Sequence, residues 1–265
     1  MSGFSAEWLR LREPVDLAAR NKSVEAAFRA ALPAGDIKLL DLASGAGSTV
    51  AALSPDLGTT QSWLLTDNDT GLLKVALDRF EAASNLNVTC QTVDLSRALS
   101  SLPFQDVDGI TTSAFLDLVT RPFLEDLVAR VTDSGKPFLA SLTYDGRASC
   151  FPADPFDEEI RRAMNSHQKT DKGFGAALGP DAAHVAESLF KNAGYRVVTG
   201  TSDWTAGSEA SKFQRELIAG WVAASADMDL PSVKLNDWHQ LRLAQIKNGE
   251  LLISVGHIDF AAFPE

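Results

Sequence analysis

The stretch IKLLDLASGAGSTV, residues 37–50, decides the fold. A short apolar run reaches Asp41 and opens into a loop with the spacing Gly45-x-Gly47, after which Ser and Thr begin a predicted helix. Glycines let the backbone approach a ligand closely, and a helix start offers unpaired N–H groups. Strand, glycine loop and helix in this order are typical of a nucleotide-type ligand site at the carboxyl edge of an α/β sheet.

The length and composition are those of an ordinary globular chain. At 265 residues it can bury a core, and we expect one α/β domain with insertions. Hydrophobic residues make up 45% and charged residues 22%. No apolar run reaches the roughly 18 residues that a membrane helix needs. The first residues mix acids, Arg and Trp, so we expect no secretory signal, no membrane partner and a cytoplasmic location.

The charge and cysteine content exclude further classes. A formal net charge of −11 gives a field that repels phosphate backbones, and no basic stripe overrides it, so we expect no nucleic-acid partner. The two cysteines occur without a CxxC spacing or a Cys/His cluster. We therefore predict neither a disulfide framework nor a metal site.

Strand-like and helix-like segments alternate from residue 37 to about 145, which predicts a parallel sheet with helices on both faces. The helix over 73–80 and that over 123–131 repeat apolar residues at the helical spacing i, i+3, i+4 and i+7. Two more strands are predicted after a helix that begins near Asp181, with helical residues 213–247 between them. The predicted strands cover 37–42, 62–67, 87–93, 108–114, 136–144, 195–204 and 250–260.

Two regions lie outside this alternation of strands and helices. Residues 1–36 contain a helical apolar stripe that stops at Pro33, and we interpret them as an N-terminal helical cover. Residues 145–180 are rich in Pro and Gly, and we predict an irregular, lid-like insertion at about 146–180. The main domain is then 37–265.

With DLASGAGST after the first strand and LLTDND ending the second, the sequence resembles the class I S-adenosylmethionine-dependent methyltransferases. The resemblance covers about residues 37–145 well and 181–260 more loosely. It implies a Rossmann-like, seven-stranded, mostly parallel sheet with helices on both faces and an antiparallel last strand. It also implies S-adenosylmethionine as the cofactor.

The glycine loop allows two interpretations. A dinucleotide loop needs a third small residue in the pattern G-x-G-x-x-G, and Val50 stands there instead. The methyltransferase pattern, acid-x-Gly-x-Gly-x-Gly, maps onto Asp41, Ala43, Gly45 and Gly47, with Ala43 as the one departure. The loop residues that the resemblance assigns to the cofactor are Ala43, Ser44, Gly45 and Gly47.

Three acids follow predicted strands: Asp41, Asp67 and Asp94. S-adenosylmethionine carries a sulfonium and an ammonium, so an acidic edge suits it. The resemblance implies that Asp67 with Asn68 holds the ribose, that Asp94 with Leu95 meets the adenine, and that Asp41 positions the amino-acid part. The alternative for each acid is a turn residue or a helix cap.

The cofactor also carries a carboxylate, which an Arg fork binds through two parallel hydrogen bonds. In the N-terminal cover we propose Arg20 for this role, with Arg12 as a second candidate. An ion pair between Arg12 and Asp16 on the helix surface is the competing interpretation.

Methyl transfer is an in-line displacement that depends mainly on positioning, and a base is optional. The fourth strand ends in TTSAFLD, without the Asn/Asp-Pro-Pro-aromatic motif of base-modifying enzymes. Ser113 and Asp117 are candidates for lining the methyl site. The fifth strand ends in Tyr144 and Asp145, which are a catalytic and a substrate candidate, with a simple turn as the alternative.

The predicted lid supplies further substrate candidates, Asn165, His167, Gln168 and Phe174. His167 is the candidate base, although an isolated His is more often a surface residue. Trp204 ends the sixth predicted strand and is a candidate aromatic wall, or simply a packed residue. We assign no role to Trp221, Trp238 or His257.

These observations predict methyl transfer from S-adenosylmethionine to an oxygen or nitrogen atom of a small molecule. A binding module that holds the cofactor without chemistry is the main alternative. A nicotinamide oxidoreductase is a third, which the missing third glycine disfavours. The acceptor and the oligomeric state do not follow from the sequence.

Overall fold

The computed structural model describes residues 5–58 and 60–265, and within them the chain builds one mixed sheet of eight strands. Along the sheet the order is β3-β2-β1-β4-β5-β8-β6, and β7 pairs with β8 off this path. The strands are β1 (Ile37–Leu42), β2 (Gln61–Asp67), β3 (Leu86–Thr92), β4 (Gly109–Ser113), β5 (Phe138–Phe151), β6 (Tyr195–Thr201), β7 (Trp204–Ala206) and β8 (Leu252–Pro264).

Helices follow the strands and cover both faces of the sheet. They are α1 (Ala6–Ala19), α2 (Lys22–Ala30), α3 (Ser48–Leu57), α4 (Thr70–Phe80), α5 (Leu95–Ala98), α6 (Arg121–Ser134), α7 (Asp157–Gln168), α8 (Ala182–Asn192), α9 (Ser211–Asp227) and α10 (Ser232–Asn248). Within the described residues, no helix is both long enough and apolar enough to cross a bilayer.

The sheet has two apolar faces because side chains alternate along each strand. Leu40 and Leu42 of β1 pack into one core with α6 and α8, whereas Leu39 packs into a second core with α2, α3 and α4. The central strands are therefore buried on both sides, which is why they read as continuous apolar runs.

The predicted fold class is confirmed. β1, β2, β3, β4 and β5 pair in parallel, while β8 runs antiparallel to its three partners, β5, β6 and β7. The strand count differs by one: the predicted strand 195–204 ends at Thr201, and Trp204 begins the short strand β7. β7 continues the antiparallel register of β6 with β8 after a break at residues 202–203, where the Ser202 N–H donates to the His257 carbonyl over 2.9 Å.

The region predicted to be irregular, 145–180, is more regular than its Pro and Gly content indicates. β5 continues through it to Phe151 by pairing with the start of β8, and α7 follows. This extension, β7 and helices α7, α9 and α10 enclose a third apolar core that includes Ile160, Trp221 and Trp238. Burial in that core overrides the local turn signals.

Candidate functional site

The loop after β1 has the backbone geometry that its sequence requires. Gly45 and Gly47 have φ angles of 51° and 79°, in the left-handed region that favours glycine. A Cβ on Gly47 would lie 2.8 Å from Cε2 of Phe80, so this position has no room for a side chain. Ala43, where the methyltransferase pattern has glycine, also has a positive φ of 51°. The substitution by Ala thus keeps the loop conformation at a cost in strain of about 1 to 2 kcal/mol.

Asp67 at the end of β2 holds this loop in place. Its Oδ2 accepts the Gly45 N–H over 2.9 Å, and its Oδ1 accepts the Asp69 N–H over 2.9 Å. Ser44 adds a hydrogen bond from its Oγ to the Thr66 carbonyl. An ionised carboxylate has about four acceptor positions, so Asp67 keeps lone pairs for a ligand. Asn68 beside it is exposed.

Asp41 lies fully buried at the end of β1. Its Oδ1 accepts the Thr111 hydroxyl over 2.7 Å. Burial raises the pKa of Asp41 to about 7, against the opposing effects of the Thr111 hydrogen bond and the Arg20 charge. A cationic group bound beside Asp41 would favour its ionised form.

Arg20 is the most informative side chain of the site. It is the C-cap residue of α1, and only 3% of its surface is exposed. Its Nη2 donates to Ser113 Oγ over 3.2 Å. Its Nε and Nη1 have no hydrogen-bond partner among the described residues. Buried polar groups are almost always paired, so these two donors indicate a missing partner. A carboxylate fits because it accepts strong, charge-assisted hydrogen bonds from a guanidinium.

Helix α1 lies over the glycine loop. A Cβ built on Gly45 would meet Leu9 Cδ1 at 3.3 Å, and Glu13 forms a 2.7 Å ion pair with Arg79 of α4. Arg12 pairs with Asp16 over 2.8 Å, as the competing interpretation has it, but both side chains are buried and do not lie on the helix surface. Of the two candidate arginines, Arg20 is therefore the one with unpartnered donors.

The third acid, Asp94, caps a helix. It is exposed, its Oδ1 accepts the Ser96 N–H over 3.0 Å as the N-cap of α5, and it pairs with Arg97. Leu95 is buried in the first apolar core. The adenine role proposed for these two residues stays a prediction that rests on their position at the end of β3.

Asp117 lies beyond β4, four residues after Ser113. It is buried, and its Oδ1 has no hydrogen-bond partner among the described residues. Burial raises the pKa of Asp117 to about 6, partly opposed by the charges of Arg12 and Lys172. A buried carboxylate with this pKa can accept a proton near neutral pH. Ser141 and Thr143 of β5 likewise have buried hydroxyls without a partner in the described chain.

Tyr144 and Asn165 come together, as the sequence prediction requires of a shared site. The Tyr144 hydroxyl donates to Asn165 Oδ1 over 2.7 Å, and Asn165 Nδ2 donates to the Gly146 carbonyl. Burial raises the pKa of Tyr144, so its hydroxyl stays protonated. Asp145 takes no part in this pair and instead forms a 2.5 Å ion pair with Arg147.

The other residues of the predicted lid lie in separate surroundings and do not contact Tyr144 in the hydrogen bonds and ring contacts given below. His167 contacts Lys172 Nζ through Nδ1 at 3.2 Å and Asp227 through Nε2 at 3.5 Å, and burial lowers its pKa. Gln168 follows it as the half-buried end of α7. Phe174 packs edge-on against Phe123, with ring centroids 4.8 Å apart. Lys172, whose charge acts on both Asp117 and Asp227, links this segment to the site.

Trp204 is buried in an aromatic group that the sequence did not reveal. Its ring centroid lies 4.6 Å from that of His257, and Arg12 lies 5.7 Å from the indole. His257 pairs with Tyr144 across β5 and β8, and its Nδ1 contacts the Val255 carbonyl. A carbonyl only accepts, so Nδ1 carries the proton. Burial lowers the pKa of His257 to about 3, which keeps it neutral.

A signal for His257 does exist in the sequence. Residues 253–263 read ISVGHIDFAAF, in which His257 and Asp259 are the two ionisable side chains of an otherwise mostly apolar strand. Buried ionisable groups are expensive unless they are paired or functional. Within the described residues, no group of His, Cys, Asp and Glu could hold a metal ion.

No family model and no curated protein matches the sequence. Solved structures match it at low identity. A cyclopropane-fatty-acyl-phospholipid synthase-like protein from Lactobacillus casei is 14% identical, with a TM-score of 0.60 over 98% of this chain and 94% of that chain. The cyclopropane synthase MmaA2 from Mycobacterium tuberculosis is 10% identical, with a TM-score of 0.55 over 98% and 94%.

A third match is the mycolic acid cyclopropane synthase CmaA1, solved with S-adenosylhomocysteine and CTAB. It is 9% identical, with a TM-score of 0.50 over 91% of this chain and 83% of that chain. Likeness at such identities concerns the fold alone. The chain has the fold of the class I S-adenosylmethionine-dependent methyltransferases.

Proposed function

We propose that this protein is an S-adenosylmethionine-dependent methyltransferase that acts on an oxygen or nitrogen atom of a small molecule. The observation that carries the proposal is Arg20, whose Nε and Nη1 are buried without a partner in the described chain. Arg20 also interacts with the buried carboxylate of Asp41, the strand residue that precedes the glycine loop. The fold supports the proposal, as does the S-adenosylhomocysteine bound to CmaA1.

The residues present fit each part of this cofactor. Arg20 would bind its carboxylate, and Asp41 would attract its ammonium. Asp67 would accept the ribose hydroxyls with the lone pairs that Gly45 and Asp69 leave free. Asp94 and Leu95 follow β3, where the adenine would lie. When bound, S-adenosylmethionine supplies a methyl group activated by a sulfonium.

The protein's own part in the transfer is to hold an acceptor and to exclude water. Asp117 would take a proton from the acceptor, since its Oδ1 is free of protein partners in the described chain and its pKa is about 6. Tyr144 and Trp204 would line the acceptor side with a fixed hydroxyl and an aromatic face. Helix α1 over the loop favours a small acceptor because it covers the site.

The test is methyl transfer itself. The purified protein is incubated with methyl-labelled S-adenosylmethionine and a small-molecule fraction of a cell extract, and labelled products are identified by mass spectrometry. We expect a labelled small molecule with the wild type and a loss of label of about a hundredfold or more with Asp117→Asn, as for a general base. Asp108→Asn, at the opposite edge of the sheet, serves as the matched control.

The outcomes separate the candidate functions. Binding of S-adenosylhomocysteine without any labelled product would favour the non-catalytic module. An increase of the melting temperature with NAD and none with S-adenosylhomocysteine would favour the oxidoreductase, because a ligand stabilises the native state that it binds.

A further inference from the structure

Asp259 is a buried carboxylate in the middle of β8 that joins two distant segments of the chain. Its Oδ2 accepts the N–H of Asn21 over 2.8 Å, and its Oδ1 accepts the N–H of Leu142 over 2.7 Å. Each oxygen therefore holds one backbone donor. Charge-assisted hydrogen bonds of this length are among the strong ones in proteins.

The first segment is the junction between α1 and α2. Asn21 follows Arg20 directly, donates from Nδ2 to the Thr201 carbonyl over 3.0 Å, and caps α2 with its Oδ1. Gly200 makes room for it, because a Cβ there would lie 2.3 Å from Asn21 Nδ2. Asp259 thus fixes the backbone from which the Arg20 side chain reaches Ser113.

The second segment is an irregularity in β5. The pairing of β5 with β8 shifts register between Ala140 and Thr143, and Leu142 has a positive φ of 55°. A Leu adopts this conformation only where its surroundings impose it. The bond to Asp259 is one such constraint, and it sets the direction of Thr143 and Tyr144, the next two residues.

We propose that Asp259 is a positioning residue that places Arg20 and the Leu142 irregularity together, so that the cofactor side and the acceptor side of the site share one support. This inference rests on the proposed function, in which Arg20 binds the cofactor carboxylate. Asp259 itself acts through the two backbone N–H groups that it holds.

The variant Asp259→Asn tests this role with little change of volume. An amide has one acceptor oxygen, so its NH2 must face one of the two N–H donors. We expect hydrogen exchange at the amides of Asn21 and Leu142 to accelerate at least about tenfold, and the Kd for S-adenosylhomocysteine to rise about tenfold. In the Arg20→Met background, Asp259→Asn should raise the Kd no further, because both changes remove the same contribution, the bond between Arg20 and the ligand carboxylate.

Two further variants distinguish the positioning role from a general loss of stability. Asp108→Asn changes a carboxylate that accepts the Lys38 N–H over 2.8 Å at the amino end of β1, and it should leave the Kd unchanged. Gly200 lies opposite Asp259 in the pairing of β6 with β8, and Gly200→Ala keeps the Asp259 carboxylate while it displaces Asn21. It should raise the Kd by a few fold, again only when Arg20 is present.

An unchanged Kd in Asp259→Asn, or equal increases with and without Arg20, would overturn the positioning role. If the wild type binds no S-adenosylhomocysteine, the proposed function fails instead. Exchange at Asn21 and Leu142 then still decides whether Asp259 holds the two segments, and unchanged exchange would overturn that claim as well.

Discussion

The two sides of the site are built in different ways. The proposed cofactor side consists of residues at or just beyond the ends of neighbouring strands, and its hydrogen bonds join adjacent segments, as between Asp67 and Gly45. The proposed acceptor side combines Asp117 after β4, Tyr144 on β5 and His257 on β8 with Arg12 from α1. The first is a local motif repeated along a sheet edge, whereas the second exists only after distant segments have packed together.

This difference explains what each side can tolerate. A local motif depends on backbone conformation, so a side chain added to a glycine should disrupt it. An assembly of distant segments depends on buried charges and hydrogen bonds between elements, so it should respond to their removal.

The largest effect is expected for Gly45→Arg. The new side chain would meet Leu9 Cδ1, and Gly45 has a φ of 51°. We expect binding of S-adenosylhomocysteine to weaken about a thousandfold or more, which is about 4 kcal/mol. Gly135→Arg is the matched control because Gly135 has a φ of 67° with nothing near a built Cβ. Calorimetry should show control binding close to the wild type, and equal losses would contradict the local account.

The next effect concerns pH. Burial raises the folded pKa of Asp41 to about 7 from 3.8, so the native state binds more protons than the unfolded state between these values. The stability of the wild type relative to Asp41→Asn should therefore fall as the pH rises through that window, by about 2 to 4 kcal/mol in total.

Urea unfolding at a series of pH values measures this fall. Asp117→Asn should give the same sign on the acceptor side, with a window that ends near pH 6, because burial raises the pKa of Asp117 to about 6. A difference between wild type and Asp41→Asn that is independent of pH would show that Asp41 is not held in a desolvated state.

A smaller effect distinguishes the helix cap from the adenine contact at Asp94. Asp94 and Asp69 are both N-caps, so Asp94→Ala and Asp69→Ala should each cost about 1 kcal/mol of folding free energy in urea unfolding. Only Asp94→Ala should also weaken S-adenosylhomocysteine in calorimetry, by a few fold. If the two variants bind equally well, Asp94 is a cap and nothing more.

The smallest effect is expected for Ala43→Gly. Ala43 has a φ of 51°, and relief of its strain exceeds the entropy cost of a new glycine, so stability should rise by about 0.5 kcal/mol. Ala114→Gly, with a φ of 50° at the end of β4, is the counterpart on the acceptor side. Thermal unfolding should show similar gains for both. A loss of stability in either variant would show that the alanine it replaces is not strained.

The sequence predicted most of the fold, and it predicted which residues of the glycine loop and the strand ends come together in the candidate site. Buried strands with helical stripes between them are strong periodic signals, and the glycine loop and the strand-end acids need only their neighbours in the chain. The residues predicted from these signals, such as Asp41, Gly45 and Asp67, lie together at one edge of the sheet.

The rest depends on contacts that no local pattern contains. β5 runs on to Phe151 because β8 pairs with it, and its residues alone indicate a turn. His257 lies opposite Tyr144 because β5 and β8 pair there. Phe174, predicted as a substrate residue of a lid, packs instead against Phe123. These outcomes are set by tertiary packing, which overrides local propensity.

The central claim is that Arg20 binds the carboxylate of the cofactor, and calorimetry with two ligands tests it most directly. S-adenosylhomocysteine carries that carboxylate, whereas 5′-methylthioadenosine lacks the amino-acid part. We predict that Arg20→Met weakens S-adenosylhomocysteine by about ten- to a hundredfold, as expected for a charged hydrogen bond, and leaves 5′-methylthioadenosine unchanged. Equal binding of S-adenosylhomocysteine by both proteins, or no binding by the wild type, would contradict the account.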